Sequence, residues 1–245
     1  MGLEQNDRVY RFGDENLPLN PVTKKYLKEY YDNFFQRSDF KYYDEDTTRR
    51  FLRAILRKGR VTAGGTILDV GCATGFNTEQ LRKIGHMTIG VDISRVGVKK
   101  GRSKYPLLIL VVGDAAAMPF KDSSFNAILV MGCSLTNTRD LNAIQSYLTT
   151  LTKYLSDDGV VVVVGASNFS GEVESDNEWI HHRYEEVLRF VDLKVVDADG
   201  PYVTNLRLLS RLGNAALNSI FSYAARRFFG KKRWSIIYFI RKKRS

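Results

Sequence analysis

Cysteine and histidine are scarce in this 245-residue chain, which holds two cysteines, Cys72 and Cys133, and three histidines. So few rule out a disulfide framework and a cysteine-built zinc site, and no metal is expected. No apolar run approaches the ~20 residues needed to cross a bilayer. The opening MGLEQNDRVYRFGDENLP lacks the basic start and apolar centre of a secretory signal, so a cytoplasmic location is expected. Two phosphate-cradling signatures are missing as well: neither G-x-G-x-x-G nor G-x-x-x-x-G-K-[ST] occurs. Acids are absent from residues 226–245, where nine lysines and arginines fall; the chain's net charge is +10, so the remainder is nearly neutral. A basic stretch of that kind suits an anionic membrane surface or nucleic acid. A solvated, solubilising end accounts for it equally well.

What is present is a core-forming composition, 44% hydrophobic and 12% aromatic, in a length that suits one large α/β domain or two small ones. Residues 1–64 read as a helical lead-in or lid, with helical spacing in VTKKYLKEYYDNFFQ and in DEDTTRRFLRAILRKG, before Gly64-Gly65 breaks the chain. From residue 65 onward strands and helices alternate. TILDVG (66–71), MTIGVD (87–92), LLILVVGD (107–114), FNAILVMG (125–132), GVVVVVG (159–165), LKVVDA and WSIIYFI (234–240) read as strands. NTEQLRKI, RVGVKKGRSK with Ser94 as its cap, RDLNAIQSYLTTLTKYL and WIHHRYEEVLRFV read as helices. In the third of these, Leu141, Ile144, Leu148, Leu151 and Leu155 fall on one face. Alternation of this kind implies a parallel sheet with right-handed crossovers. A helical insertion is expected at about 200–233, followed by the basic tail.

The chemistry gathers at strand ends. In an open parallel sheet, ligands bind outside the carboxyl ends of the strands, near the point where strand order reverses. The first strand ends in Asp69-Val70-Gly71, and Gly71 and Gly75 permit a tight turn and a close backbone approach. Asp92 closes the second strand, 23 residues after Asp69, and a carboxylate there can accept hydrogen bonds from both ribose hydroxyls. Asp114 closes the third, followed by Ala115; a carboxylate accepts from an adenine amino group while the next amide donates to a ring nitrogen. Turn glycines with acids at three successive strand ends describe a nucleoside site without a phosphate partner, whose acidic rim suits a positively charged ligand. The plainer alternative makes these residues helix caps and packing glycines.

In ILDVGCATG, GVDIS and GDAAAMPFKDSSFNAILV the sequence resembles the class I S-adenosylmethionine-dependent methyltransferases, in their small-molecule, type 11-like branch; the resemblance covers roughly 66–165. It implies a Rossmann-like α/β fold, a seven-stranded mostly parallel sheet with helices on both faces and the last strand antiparallel. It implies S-adenosyl-L-methionine as cofactor, held by Asp69, Gly71, Cys72 and Gly75 around the methionine part. Asp92 and Ile93 would serve the ribose, Asp114 and Ala115 the adenine, and the carbonyl of Gly132 the ammonium group. Met118 and Phe120 belong either to that pocket or to the core. The family often has a third glycine where this chain has Ala73, a residue small enough for binding to survive.

Methyl transfer from a sulfonium is an in-line displacement, in which an enzyme aligns donor and acceptor and excludes water. His181 and His182 follow the fifth strand and are the candidate bases, with Asp176 and Glu178 as rivals; a structural role at the entrance is the competing reading. His86 precedes the second strand, at the opposite end of the sheet, and is expected on the surface. Tyr30, Tyr31, Phe34, Tyr42 and Tyr43 either close over the cofactor or simply pack a helix, the second being the default. The first choice of function is methyl transfer to a small-molecule acceptor, an oxygen of sugar or secondary-metabolite type. The alternative is a membrane-associated methyltransferase of a lipid or quinone-like acceptor, with peripheral contact through 205–245. RNA methylation and a non-catalytic scaffold rank lower: MGCSLTNTRD lacks the Asp/Asn-Pro-Pro-Tyr type of signature, and no RNA-binding module is recognisable, so a nucleic-acid partner is not expected. A homo-oligomer is left open.

Overall fold

A computed structural model describes residues 21–37, 44–136, 141–167, 194–202 and 234–242. Seven strands form one sheet: β1 (Thr66–Val70), β2 (Met87–Asp92), β3 (Ile109–Val112), β4 (Phe125–Met131), β5 (Leu155–Ser167), β6 (Lys194–Tyr202) and β7 (Trp234–Arg241). Their spatial order is β3-β2-β1-β4-β5-β7-β6. Strands β1 to β5 pair in parallel, and β7 runs antiparallel to both β5 and β6. The expected architecture, last strand included, is the one observed.

Because successive strand residues point to opposite faces, the sheet feeds two cores. Leu68, Val70, Ile128, Val130, Val161 and Val163 pack beneath α5 (Leu141–Lys153) through Ile144, Tyr147, Leu148 and Leu151. Ile67, Ala127, Leu129, Val160 and Val162 face the other way, onto Leu52, Ile55 and Leu56 of α2 (Glu45–Lys58) and Leu81 of α3 (Phe76–Lys83). The helix α4 (Arg95–Lys104) covers Cys72, Leu108 and Leu110 through Val98. Helices therefore lie on both faces. Local signals set their ends. Asp44 caps α2 by accepting from Thr47 N at 2.9 Å, and Ser94 caps α4 by accepting from Gly97 N at 3.0 Å. The first helix, α1 (Pro21–Arg37), lies against α4.

Several boundaries differ from the sequence expectation for identifiable reasons. Leu155 starts β5 instead of ending α5, because Tyr154 O accepts from Phe125 N and Leu155 pairs with Phe125. The register then shifts, and the valine run resumes pairing at Val160 with Ala127. The strand β3 is shorter than its apolar stretch, since Leu107 is exposed and Asp114 already caps a short 3-10 turn over Ala115–Ala117. His86 is half-buried rather than on the surface, its Nδ1 lying 3.3 Å from Gly65 O at the amino-terminal end of β2. The helix expected over WIHHRYEEVLRFV and most of the 200–233 insertion lie outside the described residues. Arg241, within the basic stretch, donates to the carbonyls of Gly59, Asp158 and Gly159, so one of those charges secures β7 to neighbouring turns.

Gly101 fixes how closely α4 sits against the sheet. A Cβ at Gly101 would fall 2.6 Å from Leu110 Cδ1 and 2.7 Å from Thr74 O, the second being backbone that cannot swing aside. In an isolated helix, alanine would be favoured over glycine by roughly 0.5–1 kcal/mol. Here the sign is expected to reverse: Gly101→Ala lowers unfolding free energy by about 1–3 kcal/mol as α4 is pushed off the sheet. Urea denaturation monitored by circular dichroism checks this, and an unchanged or raised midpoint would contradict the packing described.

Candidate functional site

The chain reverses its strand order around β1, whose neighbours are β2 on one side and β4 on the other. The turn leaving β1 is held at this point. Gly71 N and Cys72 N both donate to Val91 O, at 2.8 and 3.1 Å, and Gly75 N donates to Cys72 O at 2.8 Å. Gly71 and Gly75 have φ of 73° and 78°, the left-handed region that favours glycine. Their surroundings differ. Gly71 is exposed, with Cys133 Sγ 3.3 Å from where a Cβ would stand. Gly75 is buried and begins α3, where a Cβ would press on Leu110 Cδ1 at 3.0 Å and Leu108 Cδ1 at 3.1 Å. Gly71 thus leaves its backbone exposed at the turn, and Gly75 serves close packing.

Ala73, where the resembling family often has glycine, is also left-handed, with φ 54°. This conformation costs a non-glycine residue of order 1–2 kcal/mol. A directed hydrogen bond offsets it: Ala73 N donates to Asp92 Oδ2 at 2.8 Å. Asp92 Oδ1 accepts from Ser94 N at 2.8 Å. The predicted ribose acid is therefore the hub that joins the β1 turn to the β2 turn, and Ile93 lies between its two anchors in sequence.

Asp69 lies one strand over, buried, and accepts from Thr78 Oγ1 of α3 at 2.6 Å. Burial pushes its carboxyl up to about 6, against the Thr78 hydrogen bond, with the Asp92 charge adding to the rise. Burial likewise raises Asp92, opposed by the Ser94 and Ala73 amides and reinforced by Asp32. No basic group is among the main influences on either carboxyl. Asp114 accepts from Ala116 N at 3.0 Å and is half-buried at the end of β3, with Ala115 buried beside it. Gly132, after β4, has φ 59° and donates its N–H to Val164 O at 3.0 Å.

The structure thus brings Asp69, Gly71, Asp92, Ile93, Asp114, Ala115 and Gly132 to one end of the sheet. The side chain of Cys72 packs with Val98, Leu108 and Leu110 beneath α4, so only its backbone belongs to the turn. Burial and the nearby Asp92 and Asp69 raise its thiol. Both cysteines are free and buried. Met118 and Phe120 pack against the core; Phe120 meets the rings of Phe125 and Tyr154 edge-on at 5.1 and 5.6 Å. His181 and His182 lie outside the described residues.

Sequence reasoning missed four participants. Thr78 restrains Asp69 from nine residues away. Ser134 follows β4 and lies beside the Tyr31 hydroxyl. Asp32 accepts from Ser94 Oγ at 2.6 Å. Tyr147 of α5 is buried with no hydrogen-bond partner for its hydroxyl among the described residues, near Cys133, Asp114 and Asp92. None of the four carried a sequence signal of its own; only Tyr31, the neighbour of Ser134, stood out, by its place in an aromatic run. Thr74 Oγ1, in the β1 turn, is buried and unpartnered as well. Raised carboxyls without a basic partner, an exposed left-handed glycine and two unanswered hydroxyls fit a cationic nucleoside such as S-adenosylmethionine. Among the described residues no cluster of His, Cys, Asp or Glu is suited to a metal.

Comparison with known proteins agrees with this geometry. A sequence model described as a methyltransferase domain matches residues 67–159. A demethylmenaquinone methyltransferase of Renibacterium salmoninarum is 32% identical over 83 residues, 34% of this chain and 35% of that protein. One from Staphylococcus saprophyticus is 31% identical over 158 residues, covering 58% and 65%. An uncharacterized protein of Methanocaldococcus jannaschii is 31% identical over 156 residues, covering 63% and 55%. The chain spans less than two thirds of each of these relatives. Among solved structures, geranyl diphosphate C-methyltransferase from Streptomyces coelicolor, in complex with S-adenosyl-L-homocysteine, superposes with TM-score 0.63 over 93% of this chain and 100% of that one, at 15% identity. The [4+2]-cyclase SpnF superposes with TM-score 0.62 over 91% and 97%, also at 15% identity. Residues 67–159 thus match a methyltransferase domain, and the sheet around them has the fold of these solved neighbours.

The raised Asp69 carboxyl carries a pH signature. Its folded value, about 6, lies above the ordinary 3.8. The folded state therefore binds the extra proton, and the stability linked to it is full below 3.8 and lost as pH climbs through about 6. Asp69→Asn keeps an oxygen for Thr78 and removes the charge, so it is expected to raise the melting temperature at pH 7.5, to leave it nearly unchanged at pH 4, and to weaken S-adenosylhomocysteine binding. Thermal scans at the two pH values decide; equal shifts at both would remove Asp69 as the source.

Proposed function

We propose that this chain is an S-adenosylmethionine-dependent methyltransferase acting on a small molecule, and that the acceptor is of apolar, quinone-like or isoprenoid class. The observation that carries the first part is the Asp92 hub: a buried carboxylate held by two backbone amides at the switch point of a class I sheet, inside the segment matched to a methyltransferase domain. When bound, S-adenosylmethionine supplies an electrophilic methyl group on a sulfonium. The chain's own part is to orient and to exclude water. Asp92 offers its remaining lone pairs to ribose hydroxyls, Asp114 and the Ala115 amide to adenine, and Gly71, Asp69 and the Gly132 carbonyl to the methionine end.

The acceptor class is favoured by relatives named for a demethylmenaquinone and by a structural neighbour named for geranyl diphosphate. The sugar-type oxygen acceptor expected from sequence gains no support from these names. In this reading α1 within the 1–64 lead-in forms the lid while α2 packs under the sheet of the methyltransferase domain, 65–245, and the 200–233 insertion with the basic tail provides acceptor-side and membrane-surface contact. No described helix is long and apolar enough to cross a membrane. His181 and His182 remain the proposed bases for an acceptor that must lose a proton.

Two measurements test this. Asp92→Ala and Gly71→Arg are each expected to abolish S-adenosylhomocysteine binding in calorimetry, the first by losing ribose hydrogen bonds and the second by filling the approach beside Cys133. Release of S-adenosylhomocysteine from S-adenosylmethionine is expected with demethylated quinones or prenyl acceptors and not with sugars. Wild-type affinity in either variant overturns the site; turnover on sugars alone overturns the acceptor class.

A further inference from the structure

Two adjacent residues of α1 reach opposite sides of the same mouth. Asp32 Oδ1 accepts from Ser94 Oγ at 2.6 Å and from Val96 N at 3.0 Å, in the turn after β2. Tyr31, half-buried, lies close to Ser134 in the turn after β4 and within electrostatic range of Cys133 and Asp92. Strands β2 and β4 flank β1, so α1 passes over the 71–75 turn from one side to the other. Glycine lets it come close: a Cβ at Gly97 of α4 would stand 2.9 Å from Phe35 Cδ2 and 3.2 Å from Ala73 O. Lys100 Nζ adds a donor to Gln36 O at 3.4 Å.

Ser94 stands at the centre of this contact. Its amide donates to Asp92, its hydroxyl donates to Asp32, and the same hydroxyl oxygen accepts from Gly97 N. Asp32, Ser94 and Asp92 therefore form an unbroken relay from the lid helix to the carboxylate read above as the ribose acceptor. Among the described side chains of α1, Leu27 and Phe35 are buried, so an apolar contact accompanies these polar ties.

Resting on that reading of Asp92, we propose that Asp32 is a positioning residue: acting through Ser94, it aligns Asp92 for the donor's ribose and straps α1, with Tyr31, across the mouth, so that donor occupancy and closure of α1 stabilise each other. Two carboxylates share one serine, and the Asp32 charge adds to the rise of the Asp92 carboxyl. Hydroxyl donors arriving at Asp92 disperse its charge and relieve that repulsion, which strengthens the Asp32 tie. Linkage of this kind is reciprocal: whatever α1 closure adds to donor affinity, the donor adds to α1 closure.

The test combines calorimetry with S-adenosylhomocysteine and hydrogen exchange on the full chain. In wild type, S-adenosylhomocysteine is expected to slow amide exchange across residues 21–37. Asp32→Ala is expected to weaken its binding about tenfold and to remove that slowing, while β1 and β4 stay as protected as in wild type. Asp32→Asn keeps an oxygen facing Ser94 and is expected to recover most of the affinity, which a general loss of helix stability would not predict. Wild-type affinity in Asp32→Ala, or persistent ligand-induced slowing in 21–37 of that variant, overturns the strap alone. Failure of the wild-type chain to bind S-adenosylhomocysteine overturns the Asp92 reading and the strap with it.

Discussion

Two carboxylates buried side by side, without a basic partner among their main influences, set the terms for the upper edge of this sheet. Asp69 and Asp92 sit on neighbouring strands, burial raises both carboxyls, and the Asp92 charge adds to the rise of Asp69. Uncompensated, burial of that kind is expensive, and every nearby donor is recruited against it. Thr78 turns its hydroxyl to Asp69; Ala73 and Ser94 turn their amides to Asp92. The left-handed turn after β1 serves the same demand: Ala73, with its φ at 54°, donates its amide to Asp92. Strain, charge and loop shape are thus three expressions of one constraint, and together they leave a cavity edge suited to a cation.

Much of this could be read from the residues in order. Strand ends marked by Asp69, Asp92 and Asp114 share one rim because parallel strands joined by right-handed crossovers all finish on the same side. Gly71 and Gly75 announced a turn, and Ser94 a helix start. What could not be read is what depends on tertiary approach. Thr78 is an unremarkable helix residue until α3 packs against β1. Asp32 precedes Ser94 by 62 residues, and nothing in its own helix distinguishes it from a solvated acid. The two glycines also looked alike in sequence, yet one opens onto solvent and Cys133 while the other is wedged against leucines of β3. Strand limits failed where pairing outran hydropathy, as at Leu155, which joins β5 because Phe125 offers it a partner.

The architecture alone leaves the chemistry open. A C-methyltransferase and a [4+2]-cyclase superpose on this chain about equally well, both at 15% identity. A common sheet can hold a nucleoside at its switch point while the elements above it decide what meets the ligand. In this chain one such element is α1, whose aromatic face lies beside the mouth: Tyr31 stacks with Phe35 at 6.0 Å and Tyr30 meets Tyr31 edge-on at 5.2 Å. Ring surface of this sort offers apolar area and preferred stacking geometries to whatever meets the ligand.

The placement of β7 between β5 and β6 bears on how the molecule is assembled. Synthesis delivers β6 first, but its neighbour in the sheet comes more than thirty residues later. Until β7 inserts against the valines of β5, β6 has no edge to join, and the open flank of β5 offers unpaired amides and carbonyls to any passing strand. The parallel half of the sheet can consolidate early, whereas its antiparallel flank must close in a single late step by long-range pairing, the slow kind. Arg241 then clasps the carbonyls of Gly59 and Gly159, joining the newest strand to turns made long before it. A nascent chain stalled between the two strands would expose a hydrophobic edge, and would call on a chaperone at that stage more than at any other.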